Sequence, residues 1–94
     1  MDKEQIEVPG TTVPFFTYTQ EGIQFYEFDT SLCQPPEPMV NMMRGLQLLD
    51  SKMKRLVMIN MQEPTLLYSR LADDFSWEVT VLENGDVKII FLLR

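Results

Sequence analysis

The chain has 94 residues and a mass of 11.0 kDa, and its 14 acidic and 8 basic side chains give a net charge of −6. This length fits one domain, and a hydrophobic content of 45% excludes a chain that is disordered throughout. No apolar run approaches the roughly 18 residues of a membrane span. A membrane protein is therefore not expected. The acidic balance repels phosphate backbones, so a nucleic-acid-binding protein is not expected either.

Histidine is absent and cysteine occurs once, as Cys33. The chain therefore lacks the commonest transition-metal ligand and the commonest general base at neutral pH. A single cysteine forms no internal disulfide and is typical of a reducing cytoplasm, and the acidic first residues lack the basic and apolar order of a secretory signal. These features predict a cytoplasmic protein without a cofactor or a metal, and they favour a binding role over an enzymatic one.

The first part of the chain predicts a tail followed by a β-hairpin. Residues 1–11 are polar and are interpreted as a flexible tail, so that a single domain spans residues 12–94. Residues 13–19 and 23–28 are rich in β-formers and flank a short loop that contains glycine. Pro14 has no backbone donor, which predicts that the first of these strands lies at a sheet edge or outside the ladder.

Two helices are predicted after this hairpin. A proline-rich loop leads into the first helix, whose apolar residues recur at spacings of three and four. These residues are Met39, Met42, Met43, Leu46 and Leu49. The second helix begins near Pro64, and a similar spacing gives its buried stripe. The residues of this stripe are Leu67, Tyr68, Leu71 and Phe75.

Three further strands are predicted at residues 55–61, 77–83 and 86–93, and Asn84-Gly85 between the last two favours a type I′ turn. The fold class is thus α/β, a two-layer sandwich with the order βαβαββ. It has a mixed sheet of about four strands, two helices on one face, and the N-terminal hairpin as an addition. Because the helices cover one face only, we expect the hairpin to cover the other, in its own chain or swapped into a homodimer.

The predicted order of elements and the prolines at the first helix resemble the small TusA/SirA-like proteins. Their hallmark is Cys-Pro-x-Pro at the amino end of the first helix, where the cysteine carries a persulfide. The partial positive charge of the helix end lowers the pKa of such a thiol. In this chain the stretch reads Pro35-Pro36-Glu37-Pro38, so that Pro35 stands in the cysteine's place.

A TusA-related family of unknown function, often fused to hemerythrin-like domains, is more similar still. The shared features are the Pro-Pro-Glu-Pro-Met turn at residues 35–39, the Glu63-Pro64 pair, and Leu67-Tyr68 beyond it. The resemblance covers residues 25–94. Members commonly carry a histidine just before the Glu-Pro pair, a position that this chain fills with other residues, so the role of that histidine is not implied here.

The resemblance implies that both helices begin at the same edge of the sheet, which would bring seven residues together. They are Cys33, Pro35, Pro36, Glu37, Pro38, Asn60 and Glu63. We interpret this cluster as a candidate site for a ligand or a protein partner, with no catalytic residue and no metal. A simpler interpretation of Glu37 and Glu63 is that each carboxylate stabilises a helix amino terminus.

Two functions follow as hypotheses. The leading one is a small binding or accessory module of the TusA-related kind that lacks the sulfur-transfer cysteine and binds a protein partner or a second copy of itself. The competing one is a sulfur carrier or redox protein that uses Cys33. For a lone cysteine, a packed and unreactive thiol is the simpler interpretation.

Overall fold

The structure is a computed structural model that describes residues 2–94, and Met1 lies outside the described residues. It contains six strands, two helices and one 3-10 turn at Thr65–Leu67. The strands are β1 (Glu4–Ile6), β2 (Phe15–Gln20), β3 (Ile23–Asp29), β4 (Lys54–Asn60), β5 (Phe75–Val81) and β6 (Val87–Leu93). The helices are α1 (Glu37–Leu46) and α2 (Tyr68–Leu71).

The six strands form one mixed sheet in the order β1-β2-β3-β4-β6-β5. Only β3 and β4 are parallel neighbours, with Gln24 opposite Lys54, and α1 is the crossover between them. All other neighbours are antiparallel. The predicted α/β class with a mixed sheet and two helices is confirmed, whereas the predicted number of four strands is corrected to six.

The N-terminal hairpin continues the sheet instead of covering it. β2 pairs with β3 over its whole length, from Phe15 opposite Phe28 to Gln20 opposite Ile23. Pro14 lies just before β2, so its missing donor removes no bond from this ladder. The expectation that the hairpin covers the face opposite the helices is therefore wrong. Its first strand is neither a sheet edge nor outside the ladder, since β2 lies between β1 and β3.

Residues 2–11, for which the sequence predicts a flexible tail, form a strand and contacts with the rest of the domain. Their strand β1 forms the sheet edge by pairing with β2, and Lys3 Nζ lies 2.7 Å from Glu27 Oε2. Val8 is buried in the core. The segment is held further at Thr12, whose backbone N–H donates to Asn41 Oδ1 at 2.8 Å.

The core lies on one face of the sheet, and both helices contribute to it. Alternate strand residues meet α1 and α2 there, because side chains along a strand point to opposite faces. The buried strand residues of this face are Phe15, Tyr26, Phe28, Leu56, Met58, Val87, Ile89 and Phe91. Met42 and Leu46 from α1, Leu49 just beyond it, and Leu71 from α2 complete the cluster.

The helices are shorter than their apolar spacing predicts. In α1 the predicted stripe is buried at Met42 and Leu46, whereas Met39 and Met43 are exposed. The second helix is only one turn long after the 3-10 turn, and Phe75 begins β5. Phe75 shares the spacing of the helical stripe, but pairing with Leu93 in β6 determines its conformation.

The type I′ geometry occurs in the first hairpin turn and not in the second, for which the sequence favours it. Glu21 and Gly22 connect β2 to β3 with φ values of 54° and 80°, which is the type I′ geometry. Between β5 and β6, only Gly85 has a positive φ, and the Gly85 N–H donates to the carbonyl of Leu82. The predicted type I′ turn at Asn84-Gly85 is therefore a three-residue loop.

Among residues 2–94, no helix has the length and apolar content needed to cross a membrane.

Candidate functional site

A pocket of about 430 Å³ lies where the loop before α1 meets the loop after β4. Its walls are mostly apolar, and prolines from both loops contribute to them. The lining residues are Pro35, Pro36, Pro38, Met39, Met58, Asn60, Gln62, Glu63, Pro64, Thr65, Leu66 and Leu67. We call it the proline-edge pocket, and its volume lies within the usual range of small-ligand sites.

The start of α1 forms one wall of the proline-edge pocket. Pro36 is the N-cap residue, the Pro35–Pro36 peptide bond is cis, and Pro38 lies in the first turn. Prolines suit this place because their fixed φ fits the first helical turn and their missing N–H would have no intrahelical acceptor. They present rigid apolar rings to the pocket and lose little conformational entropy when a partner covers them.

A buried hydrogen-bond network holds the floor of the proline-edge pocket. Thr30 and Asn60, both buried, follow β3 and end β4. The Thr30 hydroxyl donates to Asn60 Oδ1 at 3.0 Å, and Asn60 Nδ2 donates to the carbonyl of Gln62 at 2.9 Å. Because these polar atoms are satisfied, Asn60 fixes the shape of the loop instead of presenting a free amide.

Glu63 lines the pocket, and Tyr68, just outside the lining, binds its carboxylate. The Tyr68 hydroxyl donates to Glu63 Oε1 at 2.9 Å, and its ring stacks on Trp77 with the centroids 4.4 Å apart. Burial, followed by the hydrogen bond and negative charge of Glu63, raises the pKa of Tyr68 above its ordinary value of 10.0. Tyr68 is therefore neutral at physiological pH and orients a carboxylate at the pocket mouth.

Cys33 lies outside the lining of the pocket, in the loop before α1. Its side chain is half-buried, and its backbone N–H donates to the carbonyl of Thr30 at 3.0 Å. Partial burial raises the pKa of the Cys33 thiol above 9.0, and the negative charges of Glu37 and Asp29 raise it further. These surroundings favour a protonated thiol, which is the weak form as a nucleophile.

The structure brings five of the seven predicted site residues together around the pocket and leaves two beside it. Pro35, Pro36, Pro38, Asn60 and Glu63 line the pocket, whereas Cys33 and Glu37 do not. Glu37 instead starts α1, in keeping with a carboxylate at a helix amino terminus.

Several lining residues were not predicted as part of the site. Met39 and Met58 have the spacing of core residues, and only Met58 is fully buried. Leu66 is 92% exposed at the rim, and its one sequence signal was its place just after Glu63-Pro64.

Within residues 2–94, no group of three or more histidine, cysteine, aspartate or glutamate side chains has the arrangement needed to hold a metal ion. Comparison with known proteins gives no further guide, since no protein-family model, curated protein or solved structure matches the chain.

Proposed function

We propose that this chain is a non-enzymatic binding or accessory module of the TusA-related kind, that it works in the cytoplasm, and that the proline-edge pocket is its binding site. The observation that carries the proposal is the pocket itself, in which two loops far apart in sequence form one apolar concave surface. The order β3-α1-β4-α2-β5-β6 supports the family resemblance, with Pro35 in place of the carrier cysteine.

The lining of the pocket indicates the chemistry of the partner. The rings of four prolines, together with Met39 and Leu66, suit an aliphatic side chain of a protein. The Glu63 carboxylate at the rim favours a partner with a positive charge next to that side chain. The hydrogen-bonded Asn60 holds the pocket in shape, so that binding needs little rearrangement.

The direct test uses N-acetyl-leucine amide as a probe and two matched leucine variants. Leu66 lines the pocket and Leu32 does not, although they are 92% and 97% exposed, so the same substitution costs each little folding stability. In an NMR titration we expect the amide signals of Met39, Leu66 and Leu67 to shift, and Leu66→Asp to abolish the shifts. Leu32→Asp should leave them unchanged.

Shifts that persist in Leu66→Asp, or that occur only outside the pocket, would overturn the proposal. The same pair of variants extends the test to a natural partner. A protein captured from the source cell by the wild type and by Leu32→Asp, and lost with Leu66→Asp, would identify the partner of the pocket.

The competing function is a sulfur carrier or redox protein that uses Cys33. The raised pKa of the thiol weighs against it, because carriers need a thiolate near neutral pH. The test is persulfide loading from a cysteine desulfurase, followed by mass spectrometry of the wild type and of Cys33→Ser. Stoichiometric uptake that depends on Cys33 would replace the binding-module proposal with the carrier function.

A further inference from the structure

The face of the sheet opposite the helices is apolar at its centre and carries no helix among the described residues. We call it the open face. Its apolar side chains are Phe16, Phe25, Val57, Ile59, Ile90 and Leu92, from β2, β3, β4 and β6. The strand register sets Val57 directly opposite Ile90 at the centre, and it sets charged residues opposite Phe16, Phe25 and Ile59. Val57 is only 1% exposed, because its neighbours on the face surround it, while the others are half-buried.

We propose that the open face is the interface of a symmetric homodimer, so that its occupant is a second copy of this chain. The inference deepens the proposed binding role by naming a partner surface, and to that extent it rests on the proposed function. An interface of this kind would bury apolar side chains of the sheet that no helix of the chain covers.

The charges of the open face favour a second copy over a strongly charged partner. The basic side chains on this face are Lys3, Arg55 and Lys88, and the acidic ones are Glu27, Asp29 and Glu78. Three charges of each sign cancel, although the whole chain carries a net charge of −6. Two copies that meet at this face therefore bring together surfaces without a net charge, although each whole molecule is acidic.

The size of the open face also suits a dimer. Strands lie about 4.8 Å apart and rise about 3.3 Å per residue, so five strands of six or seven residues give a face of roughly 24 × 23 Å. With the relief of its side chains, that face is of the order of the ~800 Å² that each partner buries in a stable interface.

One symmetry axis matches the register of the strands. A twofold axis along β4 places β3 of one copy opposite β6 of the other, since these strands flank β4 on its two sides. Along one row of the sheet, Asp29 neighbours Ile59 and Ile59 neighbours Lys88. The axis thus sets Ile59 against Ile59 and Asp29 against Lys88 twice, and neither charge has an ion-pair partner within residues 2–94.

Sedimentation equilibrium on the full chain tests the inference first. We expect a mass of twice 11.0 kDa at micromolar concentration. Ile90→Lys should raise the dimer dissociation constant at least about tenfold, because it buries an unpaired charge in the interface. Val81→Lys is the matched control: it is a strand residue, 70% exposed, on the other face of the sheet. It should leave the dimer unchanged.

A charge exchange then tests the proposed axis. Asp29→Lys and Lys88→Glu should each weaken the dimer alone, since each sets like charges against one another in both pairs. An equimolar mixture should recover the dimer, because a heterodimer of the two variants has opposite charges in both pairs. Circular dichroism of each variant shows that loss of the dimer is not loss of folding.

A full-length chain that stays monomeric to millimolar concentration would overturn the inference, as would a dimer unaffected by Ile90→Lys. Failure to recover the dimer in the mixture would overturn the axis along β4. The proposed function is judged separately by the leucine probe on the Ile90→Lys variant. Probe binding to a wild-type protein that is monomeric would support the proline-edge pocket as a binding site and contradict the dimer interface. A dimer that does not bind the probe would support the dimer interface and contradict the pocket.

Discussion

Gly45 shows how a single hydrogen atom in place of a side chain sets the distance between α1 and the sheet. A Cβ at this position would lie 2.8 Å from Leu56 Cδ1 and 3.1 Å from Phe15 Cε2, and both neighbours are buried. Such distances are well inside van der Waals contact. Glycine in a helix costs about 1 kcal/mol relative to alanine, so the close approach of helix and sheet must outweigh that cost.

We predict that Gly45→Ala destabilises the protein by about 1–2 kcal/mol despite its better helix propensity, because the added methyl group overpacks the core. Urea unfolding measures the change, and Met43→Ala on the exposed side of α1 should change stability little. Combining Gly45→Ala with Leu56→Val should cost less than the sum of the two changes. Stabilisation by Gly45→Ala would show that α1 lies farther from β4.

Two tyrosines link the stability of the protein to alkaline pH. Burial and the neighbouring carboxylates Glu27 and Glu63 raise the pKa of Tyr18 and of Tyr68 above 10.0. A pKa that is higher in the folded than in the unfolded state means that the folded state holds the proton more tightly. The resulting stabilisation is complete below about pH 10. It is lost as the pH rises through the pKa values that the two tyrosines have in the folded state.

We therefore predict that the free energy of unfolding falls above pH 10. In the Tyr68→Phe variant this free energy should fall less steeply with pH than in the wild type. The hydrogen-bonded Asp50 raises the pKa of Lys54 and adds to the same alkaline loss, so the difference between variant and wild type isolates Tyr68. Denaturant unfolding at a series of pH values measures both slopes. Equal slopes would mean that Tyr68 titrates as in the unfolded chain.

At the scale of the elements, the hairpin between β2 and β3 contains the least favourable backbone position. Glu21 is the only described residue other than glycine with a positive φ, at 54°. The left-handed region costs an ordinary residue about 1 kcal/mol, whereas asparagine tolerates it through local hydrogen bonds. We predict that Glu21→Asn stabilises the protein by about 0.5–1 kcal/mol in urea unfolding. Glu83→Asn, in a loop position without positive φ, should be neutral.

The elements also show how far the sequence alone could go. β4, β5 and β6 were predicted to within two residues, because an apolar run and a β-rich segment next to a glycine turn are strong local signals. The hairpin of β2 and β3 was predicted, but its place within the main sheet was missed, because Pro14 argued against a ladder that in fact begins one residue later, at Phe15. A proline removes only its own backbone donor. Because Pro14 lies one residue before the strand, it does not interfere with the pairing of β2.

The candidate site was predictable in part for the same reason. The proline motif and Glu63 could be read from the sequence, and the resemblance implied that they meet at one sheet edge. Leu66 could not be assigned to the pocket, since its position depends on a 3-10 turn whose apolar spacing favours a longer helix. Met58 is a buried residue of β4, and its sequence pattern is that of an ordinary core residue. Asn41, which binds Thr12 across 29 residues, had no local signal at all.

At the scale of the molecule, the N-terminal third is part of the fold. Phe15 stacks on Phe28 with the ring centroids 4.7 Å apart, and both are 1% exposed. We predict that a shortened chain starting at Gln20 does not unfold cooperatively, because the loss of Phe15 alone costs about 3–5 kcal/mol of a total near 5–15 kcal/mol. A chain starting at Glu7 lacks only β1 and should melt cooperatively at a lower temperature.

Thermal unfolding followed by circular dichroism distinguishes these outcomes. Cooperative melting of the Gln20 chain at the wild-type temperature would mean that residues 20–94 form a complete domain. They would then have a core that does not need Phe15, contrary to the packing of Phe15 against Phe28 and Gly45.

The parallel seam between β3 and β4 has a consequence for how the chain folds. β1, β2 and β3 meet through short connections, and so do β5 and β6, but β4 pairs only with strands about 30 residues away on either side. Two local hairpin units are thus able to form rapidly, whereas insertion of β4 between them must wait for two long loop closures. Amide hydrogens of β4 should then exchange with solvent only through global unfolding. Their exchange rates should therefore give the free energy of unfolding of the whole protein.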